Sequence, residues 1–211
     1  MTKRIEQDEE ALAGAEEAKK YAEAHKRYAG LMYRTLLKDL GALNISGKYL
    51  EIGAGPGFLA TMIVENNPDV SITAVDISPG MVSVANEYIQ ERELQERIRY
   101  VIGDASDEST MRELGRFDLV YSAFSLHHWK DPERCISNLW NAVADNGILY
   151  IHDFKRVWWL YFLPLRTGEI RSIRASYTPK EIGAILRKLG LGKYKIKTLF
   201  PFFLQSIIVW K

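Results

Sequence analysis

Beyond residue 45 the chain alternates short apolar runs with stretches of helical spacing. The runs at 49–52, 71–75, 98–102, 117–121 and 148–152 are too short for helices and rich in Val, Ile, Leu and Tyr, so they read as strands. Their near-continuous apolar character is that of a parallel sheet covered by helices on both faces. Asp131-Pro132 predicts the start of a helix that ends at Asn146-Gly147, and Thr178-Pro179-x-Glu181 predicts another running to Gly190. Two late strand-like runs, 194–199 and 203–210, are joined by so short a link that only an antiparallel pair can form. Before the sheet, Tyr21, Tyr28, Leu31, Met32, Leu36 and Leu40 recur at helical spacing, and Gly41 reads as the helix stop. Residues 1–20 read as a solvated helix or frayed tail. The organisation expected is a helical extension over 1–40 and one α/β domain over 41–211.

Composition narrows the class. The chain has 211 residues, 28 Lys and Arg against 27 Asp and Glu, and a net charge of +1, which argues against a uniformly basic nucleic-acid binder. The balance is uneven: residues 154–211 carry twelve cations and only Glu169 and Glu181, a net +10, leaving −9 on residues 1–153. The single Cys135 excludes an intrachain disulfide and fits a reducing, cytoplasmic setting. The charged opening predicts no secretory signal. The longest apolar run, 157–165, is about half the roughly 20 residues of a transmembrane helix.

The sharpest motif is Tyr49-Leu50-Glu51-Ile52-Gly53-Ala54-Gly55-Pro56-Gly57, a strand entering a glycine turn that opens a helix. Such a turn lets backbone approach a ligand and presents free amides. Phe58 occupies the sixth position of the dinucleotide fingerprint, where a small residue is needed. Glu51, just before the first glycine, repels a pyrophosphate and attracts a cationic cofactor. Asp76 ends the second strand, nineteen residues after Gly57, and suits ribose hydroxyls; its alternative role is a helix cap near Ser78-Pro79.

The segment from Glu51 to Gly57, Val75-Asp76-Ile77-Ser78-Pro79-Gly80-Met81, Gly103-Asp104-Ala105 and Ser122-Ala123-Phe124-Ser125-Leu126-His127-His128 resemble, in order, the motifs of class I S-adenosylmethionine-dependent methyltransferases. The resemblance implies a Rossmann-like sheet of seven strands, mostly parallel with the last antiparallel, and S-adenosylmethionine as cofactor. It implies that Gly53, Ala54 and Gly55 line the methionine part, Asp76 holds the ribose and Ile77 with Met81 flanks the adenine. Asp104 with Ala105 is expected to read the adenine edge, and Ser122 to lie beneath the sulfonium. Gly57 and Gly103 complete the expected cofactor set. Tyr28 and Tyr33 are either core residues or a cover over the cofactor.

His127 is a candidate base or orienting group for the acceptor, with His128 and Asp153 as candidate acceptor contacts. The alternative is that one histidine packs near the cofactor pocket and the other caps local backbone; adjacent histidines without a third ligand do not predict a metal site. His152 reads as a satisfied core histidine. Residues 154–177 mix Lys155, Arg156, Arg166, Arg171 and Arg174 with Trp158 and other aromatics, which predicts docking of a small acidic, partly apolar or lipid-like acceptor. The same mixture suits packing onto core or partner, a membrane surface or RNA, and the oligomeric state stays open. Methylation of a nucleic-acid base is disfavoured, because the Pro-Pro-aromatic motif is missing after the fourth strand and Cys135 falls in a predicted helix. Two rivals remain: a cofactor-binding scaffold without turnover, and a nicotinamide oxidoreductase, which Phe58 and the lack of a Tyr-x-x-x-Lys pair oppose.

Overall fold

A computed structural model describes residues 3–5, 14–162 and 167–211. Seven strands form one sheet: β1 (Gly47–Ile52), β2 (Val70–Asp76), β3 (Ile98–Ile102), β4 (Phe117–Ala123), β5 (Val143–Phe154), β6 (Tyr194–Leu199) and β7 (Leu204–Trp210). Their order is β3-β2-β1-β4-β5-β7-β6. The first five run parallel, while β7 is antiparallel to both β5 and β6. Every strand core anticipated from the apolar runs is present.

Strand alternation divides the core between two faces. Leu50, Ile52, Val120, Leu149 and Ile151 pack with Ile136 and Leu139 of α6 (Pro132–Ala142) and Ile182 and Leu186 of α8 (Pro179–Lys188). Tyr49, Leu119, Tyr121 and Tyr150 pack on the other face with α2 (Ala29–Leu43) and α3 (Phe58–Asn66). The remaining helices are α1 (Ala15–Lys26), α4 (Pro79–Gln90), α5 (Glu108–Leu114) and α7 (Gly168–Ala175). Asp131 caps α6 and Thr178 with Glu181 forms a capping box on α8, as their sequences foretold.

Three local expectations need correction. The N-terminal periodicity is two helices, broken at Arg27-Tyr28, and Gly41 lies inside α2; Asn44, at φ +49, ends it. Asn can take this conformation because its short polar side chain tolerates it. Leu36 and Leu40 sit in the main core, so α2 runs unbroken across residue 40. Finally, α6 stops at Ala142, and the chain joins β5 through an irregular start containing Asn146 at φ +65.

Candidate cofactor and acceptor site

The order reverses at β1 and β4, the switch point where open α/β sheets bind ligands beyond their carboxyl ends. Gly53, Gly55 and Gly57 all have positive φ, +67, +54 and +86, so the turn from β1 into α3 follows a path closed to most side chains. The amides of Gly53 and Ala54 donate to the Val75 carbonyl at 2.9 and 3.2 Å. A Cβ at Gly53 would lie 2.3 Å from Ser125 Oγ, whereas one at Gly55 would meet nothing within 4 Å. Gly55 therefore faces open space at the head of the crevice.

Asp76 locks this turn to β2. Its Oδ2 accepts from the Gly55 amide at 2.7 Å and its Oδ1 from the Ser78 amide at 2.9 Å. The cap of α4 is Ser78, whose hydroxyl accepts from the Met81 amide, so the alternative capping role falls to the neighbour. Each Asp76 oxygen keeps a second lone pair for a hydroxyl donor.

Glu51 is buried among phenols. Tyr121 Oη donates to its Oε2 at 2.9 Å. Burial pushes the Glu51 carboxyl up to about 8, against the pull of the Tyr121 bond and with a further push from Asp76. Tyr33 and Tyr100 are also pushed upward, by burial first and then by the charge of Glu51. A cation placed beside Glu51 stabilises its ionised form, so the site fits the ammonium and sulfonium of S-adenosylmethionine. Tyr100, Tyr121 and Ser125 were not singled out in the sequence; aromatic residues alternating in a strand signal only core packing.

The other expected cofactor residues spread around this edge. Ile77 is exposed between β2 and α4, and Met81 is buried in the first turn of α4. Asp104 follows β3, exposed, with Oδ1 accepting from the Ser106 amide; the buried Ala105 offers its carbonyl to Asn138. The Gly103 amide donates to the Asp76 carbonyl. Ser122 is fully buried and its hydroxyl donates to the Ile52 carbonyl at 2.9 Å. Tyr28 stands 61% exposed at the break between α1 and α2, outside the core, while Tyr33 of α2 packs against the core.

The turn after β4 joins this half to a second one. Phe124 holds φ +53, a costly left-handed conformation for an aromatic residue. From it Ser125 reaches Gly53, and a 3-10 turn, Leu126–His128, carries both histidines. His127 is buried, with Nδ1 2.7 Å from Asp153 Oδ1; Asp153 Oδ2 has no partner. His128 is exposed, its ring centroid 3.9 Å from that of His127. His152 is fully buried, as expected of a core residue, yet neither ring nitrogen has a partner. Burial lowers it to about 4, and its ring packs edge-on against Phe124 at 5.1 Å. Residues 3–5, assigned no chemistry from sequence, cross this region: Arg4 donates to the carbonyls of Ala175 and His127 and lies over the Tyr177 ring.

In the basic aromatic segment, Arg156 is an internal tie. It bonds the Ser176 carbonyl and pairs with Glu181. Arg174 donates to the Leu160 carbonyl and covers the Tyr161 ring, whereas Arg171 is exposed on α7. Trp158 is exposed on the 3-10 turn Trp158–Phe162, and Arg166 lies outside the described residues. Cys135 is buried in α6, its thiol pushed up to about 12 chiefly by burial. A thiol so held is a poor nucleophile. Among the described residues no helix is long and apolar enough to cross a membrane.

Fold, glycine turn and acidic partners resemble those of class I S-adenosylmethionine-dependent methyltransferases. Residues 50–149 match the family model described as a methyltransferase domain. The chain is similar to the demethylmenaquinone methyltransferase of Thermus thermophilus, 25% identical over 193 residues, which covers 81% of this chain and 86% of that protein. It is also similar to the malonyl-[acyl-carrier protein] O-methyltransferase of Acetivibrio thermocellus, 27% identical over 135 residues, or 64% of this chain and 44% of the relative. Across the curated relatives, the chain spans as little as 26% of their length. A structure from Methanococcus maripaludis assigned to the S-adenosyl-L-methionine-dependent methyltransferases superposes with a TM-score of 0.74 at 21% identity, covering 98% of this chain and 97% of the other.

Proposed function

We propose that the protein transfers a methyl group from S-adenosylmethionine to a small acidic or partly apolar acceptor held at the ends of β4 and β5. The observation that carries this reading is the turn after β4, which sets Ser125 against the glycine turn and His127 against Asp153 of β5. One short segment thus links a cationic-cofactor site to a buried imidazole and carboxylate.

Bound cofactor supplies an electrophilic methyl on a sulfonium, and the protein's share is mainly alignment and exclusion of water, worth roughly 7 to 11 kcal/mol. Glu51 and Asp76 would hold the cofactor's cationic and ribose ends. With Nδ1–H given to Asp153, His127 would have its lone pair on Nε2 and could hold the proton of an acceptor hydroxyl placed beside it. A carboxylate acceptor, already ionised, needs no base. The relatives named for demethylmenaquinone and for a malonyl group on a carrier protein support an acceptor that is partly apolar or acidic.

The test is incubation with methyl-labelled cofactor and cell extract, followed by identification of the labelled product. Label in a small acid ester or a lipid-extractable ether is the expected result. Cofactor binding with no labelled product would favour a scaffold, and label in nucleic acid would overturn the acceptor class.

A further inference from the structure

The fold brings together two distant sequence segments whose aromatic side chains stand in solvent. On the 3-10 turn after β5, Trp158 and Phe162 are 66% and 77% exposed, their rings 6.0 Å apart edge to face. On the turn between β6 and β7, Phe200 and Phe202 are 79% and 62% exposed, with rings 5.8 Å apart. Trp158, Phe162 and Phe202 line one groove of about 790 Å³, with Lys155 in its wall. Val157, Leu160, Ile170 and Ile173 form a small core in the same region, with Phe154 and Phe203 packed against it. A single exposed aromatic residue needs no explanation, but a cluster on one face marks an interaction surface.

Charge indicates the partner. The sheet order places β6 and β7 at one end of the molecule, and residues 154–211, which build that end, carry net +10 against −9 on the rest. Within the groove, Glu181 is neutralised by Arg156, while Lys155 and the adjacent exposed Lys180 supply positive charge. Trp and Phe beside Lys is the composition that settles at the headgroup level of a bilayer, with the cations drawn to anionic lipids.

We propose that this face docks the protein on an anionic lipid surface, with Trp158, Phe162, Phe200 and Phe202 entering the headgroup region. The inference rests on exposure and charge alone and stands apart from the methyl-transfer reading.

The full chain is sedimented with vesicles of phosphatidylcholine alone and of phosphatidylcholine mixed with phosphatidylglycerol. Partition into the mixed vesicles is expected to exceed that into neutral ones several-fold. Phe200→Ser with Phe202→Ser should lower it by more than about tenfold, since each ring forfeits buried apolar area. Lys155→Glu with Lys180→Glu should lower it several-fold on the mixed vesicles only. Unchanged affinity for S-adenosylhomocysteine shows that the variants are folded. No sedimentation with either vesicle overturns the proposal, as does sedimentation indifferent to the phenylalanine changes. A dimer that those changes dissolve, without vesicle binding, assigns the face to a second copy; binding to RNA but not vesicles assigns it there.

Discussion

The two halves of the sheet edge are built differently. At the ends of β1, β2 and β3 the backbone does most of the work: three glycines at positive φ, with amides and carbonyls of adjacent turns bonded to one another and to one carboxylate. At the ends of β4, β5 and β7 the work passes to side chains, and several are buried without a full set of partners: His152, Asp153 Oδ2, Gln205 Oε1 and Ser206 Oγ. Buried polar groups are normally satisfied, since leaving one unpaired costs about 1 to 3 kcal/mol. The first half is thus held mainly by local backbone geometry, whereas the second leaves several buried polar side-chain atoms without a partner among the described residues.

The contrast is tested most severely at His127. Replacing it with Asn should lower turnover on a hydroxyl acceptor by about a hundredfold to ten-thousandfold, the usual reach of a general base, with cofactor affinity unchanged. Single-turnover rates and calorimetry on the same sample separate the two. A loss of cofactor affinity instead would show that the halves are not independent.

Gly55→Val attacks the other half. Its side chain would enter the open space at Gly55 and would hold a β-branched residue at φ +54, a penalty of about 1 to 2 kcal/mol by itself. Affinity for S-adenosylhomocysteine should fall by at least about a hundredfold, the equivalent of two steps of 1.4 kcal/mol. Near-normal binding by calorimetry would remove the cofactor from this face of the turn.

Asp76→Ala should weaken the cofactor by more than about tenfold, since a charged acceptor is worth about 1.5 to 3 kcal/mol. Unchanged affinity would leave Asp76 as a brace for the Gly55 and Ser78 amides alone.

The smallest effect is a pH dependence. In the free protein Glu51 titrates near 8 rather than at its ordinary 4.5, so it is largely neutral at pH 7. Binding of a cation favours ionisation, and affinity for S-adenosylmethionine should rise several-fold between about pH 6 and 8. Glu51→Gln should flatten that rise. Stability follows the opposite sign: the folded pKa is raised, so the neutral carboxyl's contribution is complete below 4.5 and is lost as pH climbs through 8. Thermal melts should show wild type losing ground to Glu51→Gln across that window. Parallel pH profiles for the two proteins would remove Glu51 from the linkage.

How much was legible follows the range of each interaction. Strand positions were readable because a short apolar run is a local feature, and the cap residues Asp131 and Thr178 because capping acts within three positions. The helix break at Tyr28 was not, since Tyr21, Tyr28, Met32 and Leu36 keep intervals of seven, four and four across it. Nor was the partnerless state of His152, which depends on strands on either side of it.

The sequence by itself determined the glycine turn, the acidic residues at the ends of β1 and β2, the parallel order of helices and strands and the closing hairpin. All of these depend on neighbours or on short spacings. Only the tertiary structure decided that Tyr121, 70 residues away, would donate to Glu51, that Asp76 would brace Gly55 across 21 residues, and that His127 would meet Asp153 across 26. It also decided that Phe162 and Phe202 would border one groove. The physical reason is that a side chain's partner is set by sheet register and by which face the chain crosses on its return, and neither is written in the spacing of a single segment.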